Sequence, residues 1–168
     1  MKLWHSSEFF SRHVLYHTRK SYRGREILTD SCASRSTRSK TRIVDGVVVI
    51  GKGNLAQWII KFSDLYRLKT GMVLFPGSLN LRLESPYSLP QNVVRIEPGE
   101  GGCRPGVSIV PCKINDKDAF IVRTDNNESG KGDHPKTIVE VVCDVKLRDF
   151  FAVGDGDVVR LELLEDSE

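Results

Sequence analysis

The chain has 168 residues and a mass of 18.9 kDa, with 39% hydrophobic and 28% charged residues, which is typical of one globular domain and excludes a wholly disordered or fibrous protein. No apolar run approaches the roughly 18 residues that a membrane-spanning helix requires, so we expect a soluble, cytoplasmic protein. The four cysteines form no C-x-x-C pair, which argues against a zinc or redox motif, and we expect their thiols to be reduced.

The positive charge of the chain is concentrated in its first 42 residues. These contain ten Lys or Arg and three Asp or Glu, whereas the remaining residues carry a net charge of −4. An organelle-targeting peptide, a basic arm and a disordered extension are all compatible with this composition. We predict a basic, Ser/Arg-rich disordered extension over residues 1–42, followed by one folded domain over residues 43–168. Because that domain is acidic, we do not expect a nucleic-acid partner.

The folded domain begins with a β-branched run over residues 43–50, which predicts a buried strand. Apolar residues then recur at steps of three and four from Leu55 to Leu68, which predicts one long amphipathic helix with Asn54 as N-cap and Gly71 past its end. Further strands are predicted over residues 79–83, 93–97, 107–114, 119–124, 138–143 and 158–164, with a hairpin turn at 115–118 and a short helix at 145–151. Many short strands around one long helix predict a mainly β fold of the α+β class, a small barrel.

A polar, glycine-containing stretch over residues 125–136 lies between two of the predicted strands. It has no apolar residue to anchor it to a core, so we predict a long exposed loop. Loops of this length are either functional lids or mobile connections, and the sequence is compatible with both.

A glycine loop, Gly51-Lys52-Gly53-Asn54-Leu55-Ala56, joins the first predicted strand to the long helix. Glycines allow close approach of a ligand to the backbone, so the loop is a candidate phosphate cradle; an ordinary strand-to-helix turn is the alternative. The loop also matches the G-x-G-x-x-A form of the dinucleotide fingerprint, but no acidic residue follows about twenty positions later, and no Walker A sequence is present.

Alternating polar residues mark the stretch from Pro76 to Leu83. Ser78, Asn80 and Arg82 share one face of the predicted strand. A hydroxyl and an amide oxygen two positions apart can reach one hard cation such as magnesium, and a solvated polar face is the alternative.

An isolated carboxylate lies in the apolar strand at residues 138–143. Burying Glu140 there would be costly without a partner, so we expect it to meet a donor or to face a cavity that holds a polar ligand. A tight turn at residues 154–157 then leads into the last strand, and we assign it no chemistry.

Taken in order, three stretches of the sequence resemble the CTP-dependent riboflavin kinases. They are the Gly51-x-Gly53 loop, the Pro-Gly-Ser-Leu-Asn-Leu-x-Leu stretch from Pro76, and the Ile-Val-Glu-Val-Val strand with the Lys-Leu-Arg and Gly-Asp-x-Val sequences that follow it. The resemblance covers residues 43–164 and implies a six-stranded cradle-loop barrel. It also implies an enzyme that transfers the γ-phosphoryl group of CTP to the 5′-hydroxyl of riboflavin, giving FMN and CDP. A flavin- or nucleotide-binding barrel without catalysis is the alternative, and we expect a monomer.

Carried over by residue, the resemblance implies four groups of contacts. Residues 51–56 would bind the nucleotide, Val145, Lys146, Leu147 and Arg148 would contact it again, Ser78 and Asn80 would hold Mg²⁺, and Thr124 and Glu140 would contact the flavin. Glu140 is also a candidate catalytic residue.

The sequence departs from the family pattern at three points. Ser78 replaces a threonine, Asn54-Leu55 replaces a common Glu-Gly, and the spacer from Thr124 to Glu140 is longer, so that Thr137 competes with Thr124 as the flavin contact. The change in the glycine loop leaves open the choice between CTP and ATP and whether kinase activity is retained.

Overall fold

The computed structural model describes residues 40–52, 54–91 and 93–165. The strands are β1 (Lys40–Val49), β2 (Leu79–Arg82), β3 (Val94–Ile96), β4 (Val107–Ile114), β5 (Lys117–Thr124), β6 (Ile138–Val142) and β7 (Val158–Glu165). The helices are α1 (Leu55–Lys61), α2 (Ser63–Thr70), α3 (Asp125–Glu128) and α4 (Leu147–Phe151), with a 3-10 turn at Glu100–Gly102. No helix in these three ranges is long and apolar enough to cross a membrane.

Six antiparallel strands close into a barrel. Their order is β4-β5-β6-β2-β1-β7, and the barrel closes where β7 pairs with the second half of β4. Strand β3 pairs with the first half of β4 and extends the sheet beyond the barrel. This architecture confirms the predicted small β-barrel.

The alternation of side chains divides the core between the two faces of the sheet. On β4, Val110, Cys112 and Ile114 point into the barrel, whereas Val107 and Ile109 pack outside it. The outer face is covered by α1 and α2, which contribute Ile59, Phe62 and Tyr66 to a second apolar cluster. Because successive side chains of a strand point to opposite faces, β4 contributes residues to both apolar clusters. The helices α1 and α2 cover one part of the outer face.

The long helix predicted from Leu55 to Leu68 is two helices. The helix is interrupted at Phe62, whose φ of −117° and ψ of 29° are not helical. Asp64 then lies in the first turn of α2, where an acidic residue is favourable. Despite the break, Ile59, Phe62 and Tyr66 all stay buried against the sheet. The predicted end of the helix is confirmed, because Gly71 adopts a left-handed φ of 71°.

Two other elements differ from the prediction at their ends. Strand β1 begins at Lys40, where it pairs with Glu165 of β7, three residues before the predicted start. The predicted extension otherwise lies outside the described residues. The loop at residues 125–136 begins with the short helix α3, which is capped by the Thr124 side chain. This helix has only four residues and is too short to produce a periodic pattern in the sequence. The hairpin between β4 and β5 is confirmed, with Asn115 and Asp116 at positive φ.

Candidate functional site

Two polar residues lie side by side in the middle of the sheet. Asn80 of β2 is paired in register with Glu140 of β6, and on either side the row continues with Val49 of β1 and Val122 of β5. Because directly opposed residues on one face have their Cβ atoms about 5 Å apart, the amide and the carboxyl are neighbours. The sequence singled out both residues but could not show that they share one register position.

The Asn80 side chain is buried and lacks a partner for its oxygen. The residue is 4% exposed, and Oδ1 accepts no hydrogen bond from the described residues. Such an orphaned acceptor is costly unless a ligand satisfies it. The backbone of Gly51 lies against the same amide, and a Cβ at Gly51 would collide with Asn80 Nδ2. The first glycine of the loop is therefore required for close approach to Asn80.

A cavity of about 230 Å³ opens beside this row, between α1, α2, the outer face of β5 and the loop at residues 125–136. Its polar wall is formed by Lys52, Asn54, Arg123, Thr124, Asn126, Asn127, Asp133, His134 and Glu140. Its apolar wall is formed by Leu55, Trp58, Tyr66, Cys103, Pro105, Val107 and Val122, with Gly132 completing the lining. The cavity thus joins the end of the glycine loop to the carboxyl at the centre of the sheet.

Burial controls the charge of Glu140. Its side chain is 15% exposed, and the loss of hydration raises its pKa from 4.5 to about 7. The guanidinium of Arg123 acts in the opposite direction but does not cancel the effect of burial. Glu140 can therefore exist as a neutral acid or as a carboxylate near neutral pH, which suits a group that donates to or accepts from a polar ligand.

The guanidinium of Arg123 makes three hydrogen bonds to protein partners. It donates from Nη1 to the carbonyl oxygen of Tyr87 at 2.7 Å and to Glu128 Oε2 at 3.0 Å, and from Nη2 to the carbonyl oxygen of Lys136 at 3.4 Å. These bonds fasten both ends of the loop at residues 125–136 to the barrel. Arg123 is therefore a structural support of the cavity.

Lys52 connects the glycine loop to the facing loop. Its Nζ donates to the carbonyl oxygen of Asp133 at 3.1 Å. The next residue, His134, is held by its backbone N–H, which donates to Asn127 Oδ1 at 3.4 Å. Burial and the nearby Lys52 ammonium lower the pKa of His134, whereas Asp133 opposes them, and the net effect favours the neutral imidazole.

The predicted second nucleotide segment lies against the end of β1. Arg148 Nη2 donates to the carbonyl oxygen of Val49, which lies two residues before Gly51, at 3.0 Å. It also donates to Asp155 Oδ1 at 2.7 Å. Lys146 is exposed and pairs with Asp149 at 3.0 Å, and Leu147 is buried in the barrel core. Arg148 and Lys146 are thus the polar members of this segment.

The remaining predicted site residues divide between the cavity and its surroundings. Thr124 lies on the cavity wall, and its Oγ1 accepts from the backbone N–H of Asn127 at 3.2 Å. Thr137 and Ala56 do not line the cavity. Ser78 is half-buried two residues before Asn80, and Gly53 lies outside the described residues.

Sequence reasoning named five of the seventeen lining residues as site residues, namely Lys52, Asn54, Leu55, Thr124 and Glu140, and missed the other twelve. Trp58 and Tyr66 fit the helical apolar pattern, and both line the cavity. Asp133 and His134 sit in the polar loop, where no periodic signal distinguishes them. The carboxyl of Glu140 in an apolar strand predicted a polar cavity but not the residues across it.

The comparisons with known proteins decide the family. The family model CTP-dep_RFKase, described as a domain of unknown function (DUF120), matches residues 48–163, which run from β1 to β7. The chain belongs to the CTP-dependent riboflavin kinase family. The resemblance found from the sequence motifs is confirmed.

Curated relatives carry the name riboflavin kinase. The chain is 28% identical to the protein of Thermococcus kodakarensis over 85% of its own length and 69% of that relative. It is 30% identical to the proteins of Pyrococcus abyssi and Pyrobaculum aerophilum, over 77% of its own length and 62% and 61% of theirs. The chain thus spans about three fifths to two thirds of the length of these relatives.

Proposed function

We propose that the chain is a CTP-dependent riboflavin kinase, which transfers the γ-phosphoryl group of CTP to the 5′-hydroxyl of riboflavin and yields FMN and CDP. Membership of the family supports the reaction and the donor. The structural observation that carries the proposal is the row of Asn80 and Glu140, with Gly51 pressed against Asn80 and the cavity beside Glu140. This arrangement supports two adjoining subsites, one for the nucleotide and one for the flavin, around the cradle loop after β1.

The nucleotide subsite is proposed at the glycine loop. Gly51 brings the backbone of the loop close to Asn80, while Lys52 and Arg148 supply positive charge near the end of β1. Phosphoryl transfer asks the protein to position the reactants and to offset negative charge rather than to form covalent bonds. The cations at residues 52 and 148 are suited to that task. Asn54, Leu55, Val145 and Lys146 would complete the contacts, whereas the side chain of Leu147 is buried in the barrel core.

Magnesium is proposed at Ser78 and Asn80, and the residues present fit the ion. The buried, unpaired Oδ1 of Asn80 is the type of hard oxygen ligand that magnesium prefers. Magnesium in nucleotide sites takes one or two protein oxygens and completes its shell with phosphates and water, so no cluster of carboxylates is needed. Bound there, the cation would offset the charge of the transferred phosphate. Within the described ranges, no group of three or more His, Cys, Asp or Glu side chains could hold a metal.

The flavin subsite is proposed in the cavity. Its apolar wall, with Leu55 and Trp58 on one side and Val122 on the other, suits a planar ring system, and Thr124 and Glu140 offer polar contacts. The half-buried Glu140, able to donate or accept near pH 7, would hold a polar group of the flavin. We favour Thr124 over Thr137 because only the former lies on the cavity wall.

The proposal is tested by incubating the full chain with riboflavin, magnesium and either CTP or ATP, and separating the flavins by chromatography. We expect FMN with CTP, and we expect Asn80→Ala to abolish magnesium-dependent FMN formation while the protein stays folded. Arg82→Ala, an exposed change two residues away on the same strand, is the matched control. Riboflavin or CDP binding without FMN would assign the chain to the non-catalytic alternative, and FMN formation by Asn80→Ala at the wild-type rate would refute the metal assignment.

A further inference from the structure

The loop at residues 125–136 brings a histidine to the boundary between the two proposed subsites. His134 lies on the cavity wall, with its side chain 13% exposed. Two contacts fix its backbone: its own N–H donates to Asn127 Oδ1, and the carbonyl oxygen of the preceding residue, Asp133, accepts from Lys52 Nζ at 3.1 Å. A Cβ at Gly132 would also collide with Asn127 Oδ1, so the loop is closely packed immediately before the histidine.

The imidazole lies beside the carboxyl of Glu140, so that an oxygen atom to one side of the pair could contact both groups. His134 Nε2 and Glu140 Oε1 are 3.9 Å apart, too far for a direct hydrogen bond. Since a hydroxyl makes hydrogen bonds of about 2.8 Å, one oxygen atom can lie within reach of both atoms. The pair therefore forms a ready site for a hydroxyl group, with one partner on β6 and the other on the loop.

The position of this pair specifies which hydroxyl it would hold. Lys52 of the glycine loop donates to the carbonyl oxygen of Asp133, so His134 directly follows the residue at which the two loops are joined. In a phosphoryl transfer the accepting oxygen must lie between the phosphate subsite and the body of the acceptor. Glu140 is the register partner of Asn80, the proposed magnesium ligand, and with His134 it also lines the proposed flavin cavity, so the pair lies where the two proposed subsites adjoin.

We propose that His134 is a further substrate contact, which together with Glu140 holds the acceptor hydroxyl at the end of the flavin's ribityl chain in position for phosphoryl transfer. This inference rests on the proposed riboflavin kinase function. The lowered pKa of His134 is consistent with this role, because it favours the neutral ring, which keeps one nitrogen as an acceptor for the hydroxyl. A purely structural role, in which the ring only packs the loop, is the alternative that the experiment must separate.

The first test compares two flavins that differ in the ribityl chain. Binding of riboflavin and of lumiflavin, which lacks the chain, is measured by flavin fluorescence with wild-type protein and with His134→Ala. Losing one hydrogen bond should weaken riboflavin binding about tenfold and leave lumiflavin binding unchanged. His134→Gln, which keeps a polar atom near the position of Nε2, should recover part of the loss, and Lys131→Ala is the control for the exposed part of the loop.

The second test is kinetic. In His134→Ala we expect kcat to fall about 10- to 100-fold because the hydroxyl is misplaced, with KM for CTP unchanged. Thermal melting monitors folding of both His134 variants. Equal weakening of both flavins, or riboflavin binding and FMN formation at the wild-type level in His134→Ala, would overturn the inference while leaving the kinase assignment intact. A wild-type protein that neither binds riboflavin nor forms FMN would overturn the kinase proposal itself, and the inference with it.

Discussion

Replacing Glu140 with glutamine should make the folded protein more stable at alkaline pH. In the folded chain burial raises the pKa of Glu140 from 4.5 to about 7, whereas the unfolded chain has the ordinary value. Between these two values the folded state holds a proton that the unfolded state has released, so the free energy of unfolding falls as the pH rises and levels off above about pH 8. At 1.36 kcal/mol per pH unit, the full loss is about 3 kcal/mol.

The size of the effect can be measured within the range in which the rest of the protein stays folded. About 2 kcal/mol of the loss falls between pH 5.5 and 8.5, and glutamine, which cannot ionise, avoids it. The lowered pKa of His134 makes the free energy of unfolding rise with pH below about pH 6.5, which is the opposite trend. His134 is present in both proteins, so the difference between their free energies of unfolding reports on Glu140.

The assay is urea unfolding of wild type and Glu140→Gln at several pH values in magnesium-free buffer. Between pH 5.5 and 8.5, the free energy of unfolding of the variant should rise by about 2 kcal/mol relative to that of wild type. In thermal melting the same change corresponds to a relative increase in Tm on the order of 10 °C. Glu84→Gln, at an exposed position, is the matched control and should show no such divergence. Parallel pH profiles for wild type and Glu140→Gln would refute the conclusion that burial perturbs this carboxyl.

Three further changes test the site and its support. Gly51→Ala should displace the Asn80 side chain, because the new Cβ would collide with the amide. We expect the rate of FMN formation, measured in a magnesium titration, to fall at least about tenfold while riboflavin binding is retained. A titration curve equal to that of wild type would contradict this. Lys52→Ala should break the 3.1 Å bond to Asp133, raise KM for CTP and speed proteolysis of the loop, and unchanged cleavage would argue against the bridge. Arg123→Met should lower the free energy of unfolding by about 2 kcal/mol or more, because it removes three hydrogen bonds that a buried side chain makes, and a urea midpoint equal to wild type would refute that role.

The barrel could be predicted from the sequence because its strands carry strong local signals. Strand β4 has the predicted bounds, and the turn at Asn115 and Asp116 has the residue types that positive φ favours. The helix interruption at Phe62 could not be predicted, since the apolar spacing continues through it and only packing on the sheet fixes the break. Closure through β7 and β4 depends on contacts between distant parts of the chain, which periodicity does not encode.

The candidate site was predictable by residue type but not by arrangement. Asn80 and Glu140 each stood out as polar residues in apolar surroundings, whereas their shared register depends on how β2 and β6 pair. No sequence pattern marked His134 as a site residue, because a loop has no periodicity that shows where its side chains lie. Its position beside Glu140 is visible only in the fold. The longer spacer between Thr124 and Glu140 was visible in the sequence, and the structure shows that it forms one wall of the cavity.

The most direct test of the account follows the phosphate itself. Wild-type protein is incubated with riboflavin, magnesium and CTP labelled in the γ-phosphate, and the label is traced after the products are separated. We predict that the label appears in FMN in step with the formation of CDP. Label that stays in CTP or is released as inorganic phosphate, with no labelled FMN, would contradict the assignment of a riboflavin kinase.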